Sequence, residues 1–489
     1  MTAEPAYDVA VIGAGVVGAA IARELSCYQL RTILVEAAGD VGTGTSKANT
    51  AIRHTGFDAK PATLESELLR RGFPLLTSYA AAAGIPLEVT GALLVAWDAE
   101  QLATLSDLAE RSKANGYTAI RHVTPDELHR REPHLGPGAR GAFAIPDEGI
   151  ICPFTTSLAF ATEAVSNGVR LRLSSPVTGV QLLDGTHVLR VPGGEVTARW
   201  TVNAAGLHSD TVDHMFGHQR FTIRPRRGEL IVFDKLARPL VNSVLLPVPS
   251  SAGKGVLVAP TVFGNVLLGP TAEDISDRSA TQSTQSGVAG LLAKGSRIVP
   301  ELLDEEVTSV YVGLRAATEH ADYQLACYPD QRYICVGGIR STGLSASMGI
   351  AAYVADLLAD SGLGLHRTAH HRQAHMPPIG EATLRPYQDE DAISADPAYG
   401  QVVCFCERVT RGEILAAAAA PLPARTIDGL RRRTRAMLGR CQGFYCGAHI
   451  TALLAEAAGT PAEQLLHLGG TAPAPAPRSL NPIPDRAAR

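Results

Sequence analysis

The sequence has 489 residues, 45 % hydrophobic and 19 % charged, with a formal net charge of -4. Such a length allows two to four domains, and this apolar fraction builds ordinary cores without staples. The charge gives no global basic field, which argues against nucleic acid or an anionic membrane as partner, and no apolar run approaches the roughly 20 residues that span a bilayer.

Residues 7–36 read as strand, glycine turn, helix and second strand, one βαβ unit. The apolar stretch 9–22 follows Glu4 and Asp8 with no basic segment before it, so it is expected to be a buried strand and turn, not a signal peptide. Gly13, Gly15 and Gly18 form a G-x-G-x-x-G at the strand-to-helix turn. Gly13 permits the tight turn, Gly15 lets backbone N–H groups approach a pyrophosphate, and Gly18 lets helix pack on sheet. The helix N-terminus then faces the diphosphate. Glu36 closes the second strand 18 residues after Gly18, where an acid reaches ribose hydroxyls. Dinucleotide binding is therefore expected, and the motif alone does not choose between FAD and NAD.

Residues 61–84 read as a long helix. Strand-like runs then alternate with helical ones at 91–97, 169–183, 196–206, 228–233, 254–260 and 265–270, which predicts a second, partly antiparallel sheet interleaved with the first domain. The segment 175–180 is placed at the adenine end, and VNAAG (202–206) resembles the turn with which flavoproteins hold FAD a second time. With no second G-x-G-x-x-G, both features favour FAD. Residues 332–360 read as strand, glycine turn and helix. The polar stretch 366–400 is expected to be a linker, 401–467 a compact unit, and the Pro/Ala-rich 468–489 a disordered tail. No internal repeat is seen.

Cys27, Cys152, Cys327 and Cys335 are scattered among apolar neighbours, as core thiols are. Cys404-x-Cys406 and Cys441-x4-Cys446 are tight pairs, 35 residues apart from Cys406 to Cys441. In a reducing cytosol, paired cysteines suggest metal more than disulfides. Four thiolates suit an iron–sulfur cluster or structural zinc, and the C-x-C spacing counts against zinc. Arg425, Arg431, Arg432, Arg433, Arg435 and Arg440 crowd the approach to Cys441. Such a run is most simply a solvated face; offsetting cluster charge or docking an acidic partner are the alternatives.

These residues resemble the amino-acid-oxidase-like flavoprotein superfamily, and within it the FAD-dependent glycerol-3-phosphate dehydrogenases and oxidases, above all the anaerobic dehydrogenase type. The resemblance runs over about residues 7–465. The cysteine unit is similar to the bacterioferritin-associated-ferredoxin-like domain, which implies a 2Fe–2S cluster on Cys404, Cys406, Cys441 and Cys446. The implied fold is a Rossmann-like FAD-binding domain (about 1–90, 150–215 and 330–365) interleaved with a mixed-sheet substrate domain (about 90–150 and 215–330). A small, mostly helical Cys-rich domain follows.

The segment 49–58 resembles the loop that places a histidine beside the flavin, which implies His54 as catalytic base. Oxidising a secondary alcohol requires the hydroxyl proton to leave, and an imidazole titrates near neutral pH. The resemblance also implies an anion site at Lys254 and Arg315, where a point charge and a planar fork suit an anionic substrate. Gly338 to Gly343 resembles the turn that aims a helix N-terminus at the flavin. Cofactor contacts are implied at Ser46, Val177, Gly206, Gly338, Ser341, Thr342, Gly343 and Leu344. Arg53 and Arg340 depart from the family pattern, and their charge suits a second anionic group or a longer polyol.

The expected activity is FAD-dependent oxidation of a phosphorylated polyol, glycerol 3-phosphate or a close relative, with electrons leaving through the cluster. An amine, amino-acid or 2-hydroxy-acid dehydrogenase subunit and a non-catalytic redox sensor are the alternatives. The expected partner is an electron-acceptor protein or quinone-linked subunit, and the expected location is the cytoplasm, up to the inner face of the membrane.

Overall fold

The computed structural model describes residues 6–249, 255–381 and 383–467. Lys254 and the expected tail 468–489 lie outside the described residues.

The βαβ unit forms as its apolar runs dictate. Strands Tyr7–Ile12 and Thr32–Val35 pair in parallel, joined by helix Val16–Leu25. Their continuous apolar character follows from burial on both faces. They sit inside an eight-stranded sheet. Gly194–Asn203 runs parallel to Tyr7–Ile12 on one side and to Tyr333–Gly337 on the other, while Arg170–Arg172 extends the sheet beyond Thr32–Val35. The expected run 169–183 is thus two strands, Arg170–Arg172 and Gly179–Leu183, on opposite flanks of one sheet.

A nine-stranded sheet forms the second layer, mostly antiparallel. One parallel pair, Val244–Pro247 with Ala92–Ala96, makes it mixed, as expected. Its longest ladder joins Arg224–Phe233 to Val307–Ala317. A small third sheet, Ile52–Arg53, Gly149–Ile151 and Leu87–Glu88, carries the loop with His54.

The long helix runs Leu64–Ala83. The Thr63 side chain accepts the Ser66 N–H at its start, and Gly84 ends it at φ +69°, the left-handed conformation that closes helices. It packs against helix Gly343–Asp360. Gly72 and Gly349 make the crossing close, since a Cβ on Gly349 would lie 2.2 Å from the Leu68 carbonyl oxygen.

The polar stretch 366–400 is held along the body. Ala374 N–H donates to the buried Glu163 carboxylate, Met376 N–H to the Ala83 carbonyl, and Arg385, 2 % exposed, reaches Glu413. Polarity suggests a linker, but the partners of these groups lie far off in the sequence. The C-terminal unit has its own core, with Cys404, Val409, Ile414, Leu430, Ile450 and Leu454 buried together. Helix Arg411–Ala419 opens with a reciprocal capping box between Thr410 and Glu413.

Candidate flavin and cysteine sites

The glycine turn is shaped by what approaches it. Gly13 sits at φ +99°, and a Cβ there would come 2.5 Å from the Ala204 carbonyl oxygen. A Cβ on Gly18 would fall 1.9 Å from the Gly13 oxygen. Two separate sequence motifs therefore meet here, the first glycine turn and the turn after strand Gly194–Asn203. Gly15 begins helix Val16–Leu25 with no side-chain cap of its own; Val16 N–H donates to Ser46 Oγ at 2.8 Å. Glu36 accepts the N–H groups of Ala14 (2.6 Å) and Ala38 (2.8 Å). Burial raises its carboxyl above the ordinary range against those bonds. Val177 is half-buried against the core that holds Ile33, Val35 and Leu189, and Gly206, at φ +57°, starts the turn after Asn203.

His54 follows strand Ile52–Arg53, and its N–H donates to Ser345 Oγ (2.8 Å) near the start of helix Gly343–Asp360. Its Nδ1 lies 3.2 Å from Glu148 Oε2. The other Glu148 oxygen accepts both the N–H and the hydroxyl of Thr55, at 2.7 and 2.9 Å. Sequence reasoning missed Glu148. Its only signal is an acid in a Pro-Asp-Glu-Gly turn, which reads as surface.

Arg53 points elsewhere. It is 2 % exposed, its guanidinium donates to Thr77 Oγ1 and the Asp147 carbonyl, and it stacks 4.3 Å over the Phe73 ring. The fork thus ties the loop to the long helix and leaves no open face for the expected substrate contact. Arg340 is half-exposed and pairs with Glu65 at 3.1 Å. Thr342 donates to the other Glu65 oxygen (2.6 Å) and meets the Tyr323 hydroxyl. Glu65 thereby fixes the turn that starts helix Gly343–Asp360. That helix has no acid in its first turn and no side-chain cap. Gly338 is at φ +66°, Leu344 is buried and Ser341 exposed.

Arg315 lies in the long ladder opposite Arg226. Burial, then the neighbouring Arg226 charge, push its pKa down to about 10, so it remains cationic at neutral pH. Arg226 is occupied by Asp274 through two nitrogens. Among the described residues Arg315 makes no ion pair, only a 3.4 Å bond to the Thr271 carbonyl. Gly228 makes room for it; a Cβ there would lie 3.0 Å from Arg315 Nη2.

The four paired cysteines converge. Cys404 and Cys406 sulfurs are 3.9 Å apart, Cys406 and Cys441 3.8 Å, and Cys404 also neighbours Cys446. Among the described residues no three ligating side chains close around a single ion. Sulfurs at these separations suit ligation of a metal by four thiolates, in a sulfide-bridged iron pair or at one tetrahedral zinc. Met437 N–H reaches Cys404 Sγ at 3.5 Å, and the backbone N–H groups of Tyr445, Gly443 and Phe444 hold the Cys441 thiol below its ordinary range. Phe405, Cys406, Cys441, Tyr445 and Cys446 line a surface cavity of about 420 Å³.

The arginine run is largely buried. Arg432 and Arg433 both grip Asp40, at 2.6 and 2.7 Å, and Arg435 reaches Glu407 at 2.8 Å while stacking 3.9 Å over Phe263. Arg440, half-exposed, pairs with Asp234 and Glu306, and Arg425 is exposed. The expected solvated face is in part a docking face, because Asp40, Asp234 and Glu306 come from the flavin-side domains while Glu407 belongs to the cysteine unit itself.

Residues 8–357 match the family described as FAD dependent oxidoreductase. The chain belongs to that family. Residues 402–456 match the BFD-like 2Fe-2S binding domain, so this FAD-dependent oxidoreductase carries a 2Fe–2S module as well. It is similar to a glycerol 3-phosphate dehydrogenase of Caloramator mitchellensis, 36 % identical over 93 % of this chain and 95 % of that one. It is also similar to a glycerol 3-phosphate oxidase of Mycoplasma pneumoniae, 31 % identical over 72 % of this chain and 94 % of that one. The FAD-bound, dithionite-reduced L-alpha-glycerophosphate oxidase structure from M. pneumoniae superposes with a TM-score of 0.72, at 28 % identity, over 76 % of this chain and 99 % of that one.

The flavoprotein's own geometry fits its two prosthetic groups. A dinucleotide needs a backbone surface free of Cβ atoms at a helix start, which the Gly13–Gly18 turn provides, with Ser46 as a hydroxyl beside it. An iron–sulfur cluster needs clustered thiolates with N–H donors around them, which the cysteine unit provides. No helix among the described residues is long and apolar enough to cross a membrane.

Proposed function

We propose that this oxidoreductase converts the secondary alcohol of glycerol 3-phosphate, or a close relative, to the ketone and passes the electrons out through its 2Fe–2S cluster. The relative that shares nearly its full length, and is a glycerol 3-phosphate dehydrogenase, carries this reading. Bound FAD supplies the two-electron acceptor. FAD is assigned to the turn at Gly13, Gly15 and Gly18, to Glu36 and Ser46, to Val177 and Gly206, and to the Gly338–Leu344 turn.

His54 Nε2 would take the hydroxyl proton, and FAD, when bound, would supply the acceptor for the hydride released from the same carbon. Arg315 holds the substrate anion with its fork, and Lys254 is assigned the same role as a point charge. The residues around the cluster support an electron exit. Phe405, Tyr445 and Phe444 are 60 %, 73 % and 95 % exposed, which leaves an apolar edge beside the thiols for a one-electron acceptor protein or quinone-linked subunit. The cytoplasm, or its membrane face, is the assigned location.

The test is an anaerobic titration of purified, flavin-loaded protein. Glycerol 3-phosphate should bleach the flavin band, with amino acids and 2-hydroxy acids silent. Bleaching by an amino acid or a 2-hydroxy acid alone would overturn the substrate assignment.

A further inference from the structure

The pair formed by His54 and Glu148 goes beyond base catalysis by a lone histidine. Glu148 lies in the turn between strands Gly141–Ile145 and Gly149–Ile151, and its side chain is wholly buried. Two donors from Thr55 occupy Oε1. Oε2 is buried, takes no hydrogen bond from any other described group, and lies 3.2 Å from His54 Nδ1. A buried carboxylate oxygen is costly to leave without a donor, and His54 Nδ1 stands within reach of it. Among the described residues, the charge of Arg53 also acts on Glu148, although its hydrogen bonds go elsewhere. Arg53 bonds Thr77 and the Asp147 carbonyl, and the Asp147 carboxylate takes the Tyr117 hydroxyl.

We infer that Glu148 is the positioning residue of His54. It keeps the ring proton on Nδ1, so the lone pair stays on Nε2, where a substrate hydroxyl proton can be accepted. The inference rests on the reading of His54 as base. The geometry is reciprocal, because Thr55 follows His54 directly: one carboxylate fixes both the ring and the backbone that carries it. A neutral imidazole has one donor and one acceptor nitrogen, and the partner of one nitrogen sets the role of the other. Glu148 therefore does for this loop what a buried acid does wherever a histidine must present a chosen nitrogen.

E148Q tests this sharply. The amide keeps an oxygen for Thr55 and turns its N–H groups toward Nδ1, which moves the ring proton to Nε2 and removes the base. At saturating glycerol 3-phosphate, anaerobic flavin reduction should slow by about 10²–10⁴-fold, with substrate Kd changed less than about threefold and FAD content unchanged. E148D should recover part of the rate. In an H54N background E148Q should cost nothing further, since the two residues act as one unit.

A second readout needs no turnover. Nitrogen NMR of the histidine-labelled holoenzyme at pH 8, with the His54 signal assigned by its loss in H54N, should show the Nδ1–H tautomer in the natural protein. An Nε2–H tautomer there would overturn the inference, whatever the variants do. Natural rates in E148Q with slow H54N would also overturn it. Natural rates in H54N itself would instead sink the reading of His54 as base.

Discussion

Arg433 closes on Asp40 with two nitrogens, Nη1 to Oδ2 at 2.7 Å and Nη2 to Oδ1 at 2.9 Å, across 393 residues of chain. Arg432 adds a third bond at 2.6 Å, and Lys47 reaches Asp428, on the helix Ile427–Thr434 that carries both arginines, at 3.2 Å. Asp40 belongs to the loop whose Gly42 N–H bonds the Ala14 carbonyl in the glycine turn. One short segment thus touches both the dinucleotide turn and the cysteine unit.

Removing Asp40 leaves Arg433 buried without its carboxylate and leaves Arg432 with Asp428 alone. D40A should destabilise the docked arrangement by about 3–5 kcal/mol. Thermal unfolding with separate flavin and iron–sulfur absorbance should then show the cysteine unit melting before the flavin domain. The pH dependence has a definite sign. Burial raises the Asp40 carboxyl, but Arg433 and Arg432 outweigh it and hold it below the ordinary range. Its contribution is therefore fully present above the unfolded pKa of about 4 and is lost as pH falls through the lowered folded value. D40N should close most of its stability gap to the natural protein at the acid end only.

Arg315 should govern affinity more than rate. R315M should raise the Kd of glycerol 3-phosphate by roughly 10–100-fold, the loss expected of a charge-assisted pair. R315K, which keeps the charge and loses the fork, should fall between. With the guanidinium pushed down to about 10, its own titration should weaken affinity only as pH approaches 10, whereas the second ionisation of the substrate phosphate, at about pH 6, should strengthen binding from pH 6 to 8. Isothermal titration across that range checks both the size and the pH window.

C406S should separate the two cofactors. Cys406 neighbours both Cys404 and Cys441, so its loss breaks the set of four thiolates. Acid-labile sulfide should vanish while FAD content and anaerobic flavin reduction by substrate persist. Transfer to a one-electron acceptor should drop sharply.

The glycine turn and the cysteine pairs were legible because their chemistry is local: a missing Cβ and a pair of thiols announce themselves within a few residues. The Glu148 carboxylate was not, because its partners sit about 93 residues away and an acid in a turn looks solvated. The arginine run was visible as charge but not as contact, since Asp40 lies at the far end of the chain. The partners of Arg53 and Arg340 were hidden for the same reason: Arg53 bonds Thr77 and the Asp147 carbonyl, and half-exposed Arg340 gives one nitrogen to Glu65. Period and composition give the elements; the pairing of buried polar groups depends on which elements meet.

The most direct test follows both chromophores in one sample. Glycerol 3-phosphate is added to the oxidised holoenzyme without oxygen, and visible absorbance and low-temperature electron paramagnetic resonance are recorded together. The flavin band should bleach, and the signal of a reduced 2Fe–2S cluster should appear with it. A bleached flavin beside a cluster that stays oxidised until dithionite is added would contradict electron exit through the cysteine unit.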